Sequence, residues 1–407
     1  MRYRTWTALM MAAFLLGFAL PAWAQAESAE EPEEGGRELN FAGAPYVYTG
    51  PDTGMGAGFS IMFRDLFRKE GRDVDFTVNY TESGYQSYGV NWGEPYVGGP
   101  NGRLSFSLSY SQEIGVRYFG IGNDIDNDDE CFWSFIAKSA GVTYAYRWPD
   151  FPAGILGLRV GVAYYYIEPG DSKVSKDNKD LIAISEQFPE VYKSEWFDPA
   201  TYVTPAVSIY LDRRKDRFPL GGGREEVVWP MSGTYFEGGY SRSEEALGSD
   251  YTYNLGYLDG RVYLPLFFDD TILAVRGKVL LSNGNRPFYR LDGFGGSNTI
   301  RGYYGSRFID KNYTLLNVEL RQGIAPNWEF SIFDGALKVQ YPSIVLFWDH
   351  GRVYDDYTKV GEQIWEDYHY AYGFGLRIVV TPTIVLKAEF GFSDEQETFY
   401  LGAGLPF

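Results

Sequence analysis

The feature that most constrains this chain is a strict two-residue alternation of apolar and polar side chains. In residues 104–110, leucine, phenylalanine and tyrosine alternate with three serines. A period of two places these sets on opposite faces of a β-strand. The pattern recurs at 203–211, 273–281 and 384–392, and in the last two the polar face holds lysine, arginine or glutamate. We therefore predict an all-β protein whose sheet has one apolar and one polar face.

The N-terminal residues 1–24 have the pattern of a cleaved secretory signal peptide. Two arginines precede an apolar run over 6–20, and Ala22 and Ala24 supply the small residues of a cleavage site. The run is shorter than the roughly 20 residues that a membrane-spanning helix needs. We favour a signal peptide over a membrane anchor, and hence an exported protein.

Composition and export together indicate where the apolar face lies. Aromatic residues make up 18% of the chain, with 34 tyrosines, yet mean hydropathy is only −0.27. Beyond residue 24 no stretch approaches the roughly 18 consecutive apolar residues of a spanning helix. A soluble sandwich would bury its apolar face, whereas an exported barrel turns that face to lipid and its polar face to a lumen. We predict a 16-stranded antiparallel transmembrane β-barrel in a bacterial outer membrane.

The predicted strands cover most of the chain. They are 54–65, 73–81, 86–93, 102–111, 113–121, 133–147, 155–168, 201–212, 233–243, 251–266, 271–283, 313–322, 338–350, 368–379, 380–391 and 398–407. An even number fits bacterial single-chain barrels. The longest connections, 169–200, 284–312 and 351–367, all follow odd-numbered strands and are expected outside the cell.

Three regions follow from this pattern. Residues 1–24 are the signal peptide, and 54–407 form the barrel. Residues 25–53 are acidic and rich in glutamate, glycine and proline, so we predict a short flexible segment there.

The charged and reactive residues argue against several functions. The net charge of −18 argues against a nucleic-acid partner. Cys131 is the only cysteine, and His350 and His369 are too few for a histidine-based metal cluster. The acidic run 124–130 lacks the glycine and the later glutamate of an EF-hand, which favours an acidic outer loop over a calcium site. Because no catalytic order of residues appears either, we expect no enzyme activity, cofactor or metal.

Two further patterns concern the ends of the predicted barrel. Gly54, Gly56 and Gly58 alternate along the first predicted strand. They indicate either a seam with the last strand that opens sideways or a bend that curves the barrel. Phe407 is predicted to share one face with the apolar residues of 399–405, as in the C-terminal signal by which barrel proteins are recognised for insertion.

The segment 294–303 reads Phe-Gly-Gly-Ser-Asn-Thr-Ile-Arg-Gly-Tyr. Gly295 and Gly296, followed by Ile300-Arg301-Gly302-Tyr303, resemble the VRGF/VRGY loop motif of the BamA/TamA assembly-factor superfamily, also described as bacterial surface antigen barrels. Three further segments resemble that family in strand order: Phe347-Trp348-Asp349-His350-Gly351 matches F-x-D-x-G, Asn317-Val318-Glu319-Leu320-Arg321 matches N-x-E-x-R, and Asp212-Arg213 with Pro230 and Gly233 is similar to a D-x-R…P-x-x-G turn.

The resemblance implies an internal lock. In the family the loop folds back into the barrel and its arginine meets acidic residues on the inner wall. Alternation independently turns Glu319 and Asp349 to the lumen, so Arg301 is expected to lie between them, where its planar fork suits carboxylates. Without the resemblance, the residues are also compatible with another arrangement. In it Arg301 is a solvent-exposed loop residue, and Glu319 and Asp349 line a water-filled pore.

The resemblance further implies a role in inserting proteins into the outer membrane, or in translocating proteins or lipids across it. The expected partners are outer-membrane lipids, client outer-membrane or secreted proteins, and a separate periplasmic helper. Typical members carry polypeptide-transport-associated (POTRA) domains, and residues 25–53 are too short for one, so we expect a member without them. A passive channel, or a structural barrel that serves as a platform, is the alternative.

Overall fold

The structure is a computed structural model that describes residues 40–52, 54–174, 181–218, 227–332, 337–362, 366–380 and 384–407. Within these residues, sixteen antiparallel strands close into one barrel. They are β1 Asn40–Gly50, β2 Gly54–Arg64, β3 Asp73–Thr81, β4 Gln86–Pro95, β5 Gly102–Tyr118, β6 Cys131–Trp148, β7 Ile155–Asp171, β8 Ala200–Asp212, β9 Pro230–Ser243, β10 Tyr253–Pro265, β11 Thr271–Gly284, β12 Asn312–Gly323, β13 Leu337–Tyr354, β14 His369–Val380, β15 Ile384–Phe392 and β16 Glu397–Ala403.

Short strands and helical turns lie in the connections between the barrel strands. Two-residue and four-residue strands at Lys215–Asp216 and Glu329–Ile332 extend the sheet at its edge, and Asp292–Phe294 pairs with Phe308–Asp310 as a separate hairpin. The helical turns are Leu66–Arg68, Asn127–Asp129, Ile184–Gln187, Pro189–Tyr192, Glu195–Phe197, Glu245–Leu247, Phe288–Arg290 and Lys359–Glu362. None of the helices in the described part of the chain is long and apolar enough to cross a membrane.

The number of strands agrees with the prediction, but their membership differs at the N-terminal end. Residues 40–50, predicted to be flexible, form β1, which pairs with β2 over its whole length from Asn40↔Arg64 to Gly50↔Gly54. Glycine, alanine and proline interrupt the alternation in this segment and hide the strand. Conversely, 102–111 and 113–121 are not two strands, because β5 runs through both; the apolar face ends at Gln112, which looks like a break in the sequence.

The outer face of the barrel carries a band of exposed apolar side chains. Leu108, Ile209, Leu258, Leu346 and Leu376 are each more than half exposed. Apolar patches of this extent are rare on monomeric soluble proteins, whereas the outer face of a membrane barrel requires them. The band therefore fits a bilayer, as the alternation predicted.

The lumen has two unlike halves. The inner wall of β4–β8 presents many small uncharged residues, of which Asn91, Ser107, Ser109, Ala163 and Ala206 are exposed to the interior. It also carries two partly exposed arginines, Arg103 and Arg159, which pair with Asp73 and Glu237. The inner wall of β11–β15 carries buried charged residues and is covered by the connection 285–311. A largely aromatic hydrophobic cluster packs against one end of β5, β6 and β8, and includes Tyr118, Trp133, Ile184, Tyr202, Tyr253 and Phe288.

The alternating glycines do not lie in the seam strand. Their strand is β2, which pairs with β1 on one side and β3 on the other. A Cβ added at Gly56 would lie 2.5 Å from the Tyr48 ring, and one at Gly58 would lie 2.4 Å from the Tyr46 ring. These two glycines therefore make room for two tyrosine rings of β1 on the inner side of the sheet.

The C-terminal residues depart from the predicted shared face. β16 ends at Ala403, and Gly404 has φ +93°, a left-handed conformation that favours glycine. The chain then turns inward, so Phe407 is only 5% exposed and packs with Trp229, Tyr263 and Val385 inside the barrel. The alternation rule fails here because it holds only while the backbone stays extended.

Candidate functional site: an arginine held inside the barrel

The connection between β11 and β12 enters the lumen as a narrow hairpin. Its neck is the strand pair Asp292–Phe294 with Phe308–Asp310. Gly295 has φ +123°, and a Cβ there would lie 1.8 Å from the carbonyl oxygen of Tyr304. Gly296 follows with φ +86°. Only glycine fits this close approach of two backbones, which explains the glycine pair before the loop tip.

Arg301 lies at the tip of this hairpin and is fully buried. Its Nε and Nη2 donate to the two carboxylate oxygens of Asp349, both at 2.8 Å. Its backbone N–H also donates to Asp349, at 3.1 Å, and Nη1 donates to Glu319 Oε1 at 2.6 Å. The guanidinium carbon lies 3.6 Å from the centre of the Phe347 ring. The structure thus places Arg301 between the two acids that the alternation turned inward.

Further charges complete a buried network that the sequence analysis did not predict, although Arg321 belongs to its N-x-E-x-R segment and Glu389 to the polar face of 384–392. Arg377 on β14 donates to both oxygens of Glu319, at 2.7 and 2.9 Å, and to Glu389 Oε1. Arg321 Nε donates to Glu319 Oε2 at 2.8 Å. Arg377 lies on an inner-facing position of its strand, so the alternation that turned Asp349 and Glu389 inward could also have indicated Arg377.

Glu319 is the centre of this network. It accepts hydrogen bonds from Arg301, Arg321 and Arg377, and all four side chains are fully buried. A buried carboxylate is stable only when cations and hydrogen bonds satisfy it. Removing one member of a buried network of this kind costs about 3–5 kcal/mol, since an uncompensated charge is left behind.

Apolar and small residues fit the loop tip to the wall. Ile300 is completely buried, and a Cβ added at Gly351 would lie 2.7 Å from its Cδ1 atom. Gly302 has φ +120°, and a Cβ there would meet the Ala371 side chain at 2.9 Å. Gly391, which the sequence did not single out, has the same role, because a Cβ on it would lie 2.8 Å from the Arg301 backbone.

Tyr303 fixes the far side of the loop tip. Its hydroxyl donates to Asp394 at 2.5 Å, and its carbonyl oxygen accepts from the Tyr400 hydroxyl at 3.1 Å. Burial raises the pKa of the Tyr303 phenol, and the contact with Asp394 acts in the same direction. The hydroxyl therefore remains a hydrogen-bond donor near neutral pH.

The remaining candidate positions lie outside this network. Asp212 binds Arg214, and Gly233 has φ +102° with its Cβ direction blocked by the Arg213 carbonyl oxygen at 2.1 Å. His369 stacks on Phe308. Within the described ranges, no group of three or more histidine, cysteine, aspartate or glutamate residues could hold a metal ion.

Comparison with protein families decides what kind of barrel this is. Residues 67–407 match the model of the Omp85 superfamily domain. The chain belongs to the Omp85 superfamily. No curated protein matches the chain.

Solved structures share the fold of this Omp85 barrel. BamA from Haemophilus ducreyi lacking POTRA domains 1-3 matches with a TM-score of 0.54 and 15% identity, covering 89% of this chain and 69% of that chain. CdiB from Acinetobacter baumannii matches with a TM-score of 0.52 and 12% identity, covering 89% of this chain and 59% of that chain. CdiB from Escherichia coli matches with a TM-score of 0.56 and 10% identity, covering 91% of this chain and 64% of that chain. The Omp85 chain thus spans less than two thirds of either CdiB chain. The TM-scores, and not the low identities, show that the fold is shared.

Proposed function

We propose that this Omp85 barrel lies in the bacterial outer membrane and assists the insertion of proteins into it, or the translocation of proteins or lipids across it. One observation carries the proposal: the 285–311 connection, held inside the barrel by Arg301, lies beside a barrel seam with little backbone pairing. Among the described residues, Thr49↔Leu401 is the one register pair that joins β1 to β16. A weakly paired seam gives a client strand a place to enter the wall, while the internal loop preserves the barrel's shape.

The proposed partners follow from this location. Lipids contact the exposed apolar band, and client outer-membrane or secreted proteins meet the seam or the lumen. A separate periplasmic helper would deliver them. We propose no enzyme activity and no cofactor, and a nucleic-acid partner is disfavoured by the net charge of −18.

Insertion of a denatured outer-membrane barrel into liposomes tests the proposal. Wild-type proteoliposomes are expected to speed insertion relative to empty liposomes, and Arg301→Ala proteoliposomes are expected to lose most of this gain. Arg242→Ala is the matched control, because Arg242 is an exposed arginine that pairs with Glu244 on the surface. Equal insertion rates with and without the wild-type protein would contradict insertase activity of the barrel.

The partly open, polar inner wall of β4–β8 favours a second candidate, a passive channel. Its exposed Asn91, Ser107 and Ser109 side chains are compatible with a water-filled passage. A large single-channel conductance that persists after deletion of residues 295–307 would support this channel over the proposed insertion factor. A platform for a partner protein would give neither activity.

A further inference from the structure

The seam between β1 and β16 has far less backbone pairing than any other contact that closes the barrel. Thr49↔Leu401 is its one register pair within the described residues, whereas β1 and β2 are paired from Asn40↔Arg64 to Gly50↔Gly54. Unpaired backbone groups at such an edge are costly in lipid. Other contacts must therefore hold the two edges together.

One edge of the seam is held by the residues that follow Arg301. The Tyr400 hydroxyl of β16 donates to the Tyr303 carbonyl oxygen at 3.1 Å. In the turn before β16, Ser393 Oγ donates to the Gly302 carbonyl oxygen at 2.8 Å. Arg307 donates to both carboxylate oxygens of Glu395 in the same turn, at 2.7 and 2.8 Å. The loop tip is thus attached to β16 and its preceding turn.

The same loop tip also reaches the other edge. The Gly305 backbone N–H donates to Asp52 Oδ2 at 2.8 Å, and Asp52 lies in the turn that joins β1 to β2. Arg117 on β5 supports this contact, since its Nη1 donates to the Pro51 carbonyl oxygen at 3.1 Å and to Asp52 Oδ1 at 3.4 Å. The Arg117 guanidinium carbon also lies 3.9 Å from the centre of the Tyr304 ring.

We propose that residues 302–307 form a strap across the inner side of the seam, which ties the β1–β2 turn to β16. Asp52 and Tyr400 are its two attachment points, and both are separate from the buried ions around Arg301. The strap concerns how the barrel closes, so it goes beyond the proposed function. It can be correct whether or not the barrel inserts or translocates other molecules. Releasing the strap at either end is expected to loosen the seam while the Arg301 network stays in place.

Disulfide trapping across the seam tests the strap without any client protein. In a Cys131→Ser background, Thr49→Cys and Leu401→Cys place two thiols at the register pair, where directly opposed Cβ atoms lie about 4.5–5.5 Å apart. Mild oxidation and gel migration measure the rate of trapping. Asp52→Ala removes the bonds from Gly305 and Arg117 and is expected to slow trapping at least about tenfold, the lower end of what one charge-assisted hydrogen bond provides. Asp52→Asn keeps an oxygen that accepts from Gly305 and is expected to trap at an intermediate rate.

Two further variants make the result decisive. Glu82→Ala removes one exposed acid from the neighbouring β3–β4 turn and is the matched control, expected to trap at the wild-type rate. Tyr400→Phe removes one hydroxyl at the opposite attachment point and is expected to slow trapping as well. It tests the strap independently if the Asp52→Ala protein does not fold. Trapping at the wild-type rate in both Asp52→Ala and Tyr400→Phe would overturn the strap, as would equal slowing in Glu82→Ala.

Discussion

Replacing Arg301 with alanine perturbs the buried network at the point where the loop meets the wall. Arg301 makes three of the four hydrogen bonds that the described residues give to Asp349, and Asn317 makes the fourth. Glu319 keeps its contacts with Arg321 and Arg377. The loss therefore falls mainly on Asp349, a fully buried carboxylate left without its cation. We expect Arg301→Ala to lower the free energy of unfolding by about 3–5 kcal/mol.

A double-mutant cycle tests whether this cost comes from the stranded charge. Asp349→Asn removes that charge, so Arg301→Ala/Asp349→Asn is expected to be more stable than the sum of the single changes by about 1–3 kcal/mol. Urea unfolding of the barrel in vesicles, followed by tryptophan fluorescence and by migration of unheated samples on gels, measures each variant. The exposed Arg242→Ala is the control and is expected to unfold like the wild type. Strict additivity, or an unfolding midpoint for Arg301→Ala equal to that of the control, would refute the reasoning.

Three further substitutions probe how the loop and its surroundings are packed. Gly351→Ala adds a methyl group against Ile300 and is expected to cost about 1–3 kcal/mol in the same urea titration, whereas an unchanged midpoint would mean that the loop is not tightly packed. Phe347→Leu approximately keeps the side-chain volume but removes the ring under Arg301. The unfolding free energy is expected to fall by about 0.5–2 kcal/mol, and this loss is expected to be absent when Phe347→Leu is made in an Arg301→Ala protein. Gly233→Ala forces a side chain into a left-handed position against a carbonyl oxygen, so the yield of refolded, heat-modifiable barrel is expected to fall, and a normal yield would contradict the geometry.

Much of the barrel follows from alternation because a strand that separates lipid from water must alternate. That is why the antiparallel class and the inward direction of Glu319 and Asp349 were accessible from the sequence. The predicted number of strands also agrees with the structure, but only because the missed β1 and the divided β5 cancel. β1 was missed because its inner face uses Tyr46 and Tyr48 over glycines of the next strand, a complementarity that becomes visible only when both strands are paired. The split of β5 was wrong because the apolar face stops at Gln112 while the hydrogen-bonded ladder continues.

The candidate site was only partly accessible in the same way. The glycine pair and Arg301 stand out in one short segment, because a narrow hairpin needs glycine where backbones nearly touch. Arg377 and Glu389 come from strands far along the chain, and nothing local distinguishes an inward arginine bound to a carboxylate from one in water. Their proximity depends on strand stagger around the closed barrel, which periodicity does not specify.

The unequal halves of the lumen have a mechanical consequence. Around β11–β15, ions and a folded loop span the interior and resist any change in the cross-section. Around the middle of β4–β8 the inner wall faces open space between small exposed side chains, so the backbone ladder is the main element that resists flattening or widening there. A load applied to the whole wall would be taken up as deformation on the unbraced side, leaving the shape around Arg301 almost unchanged.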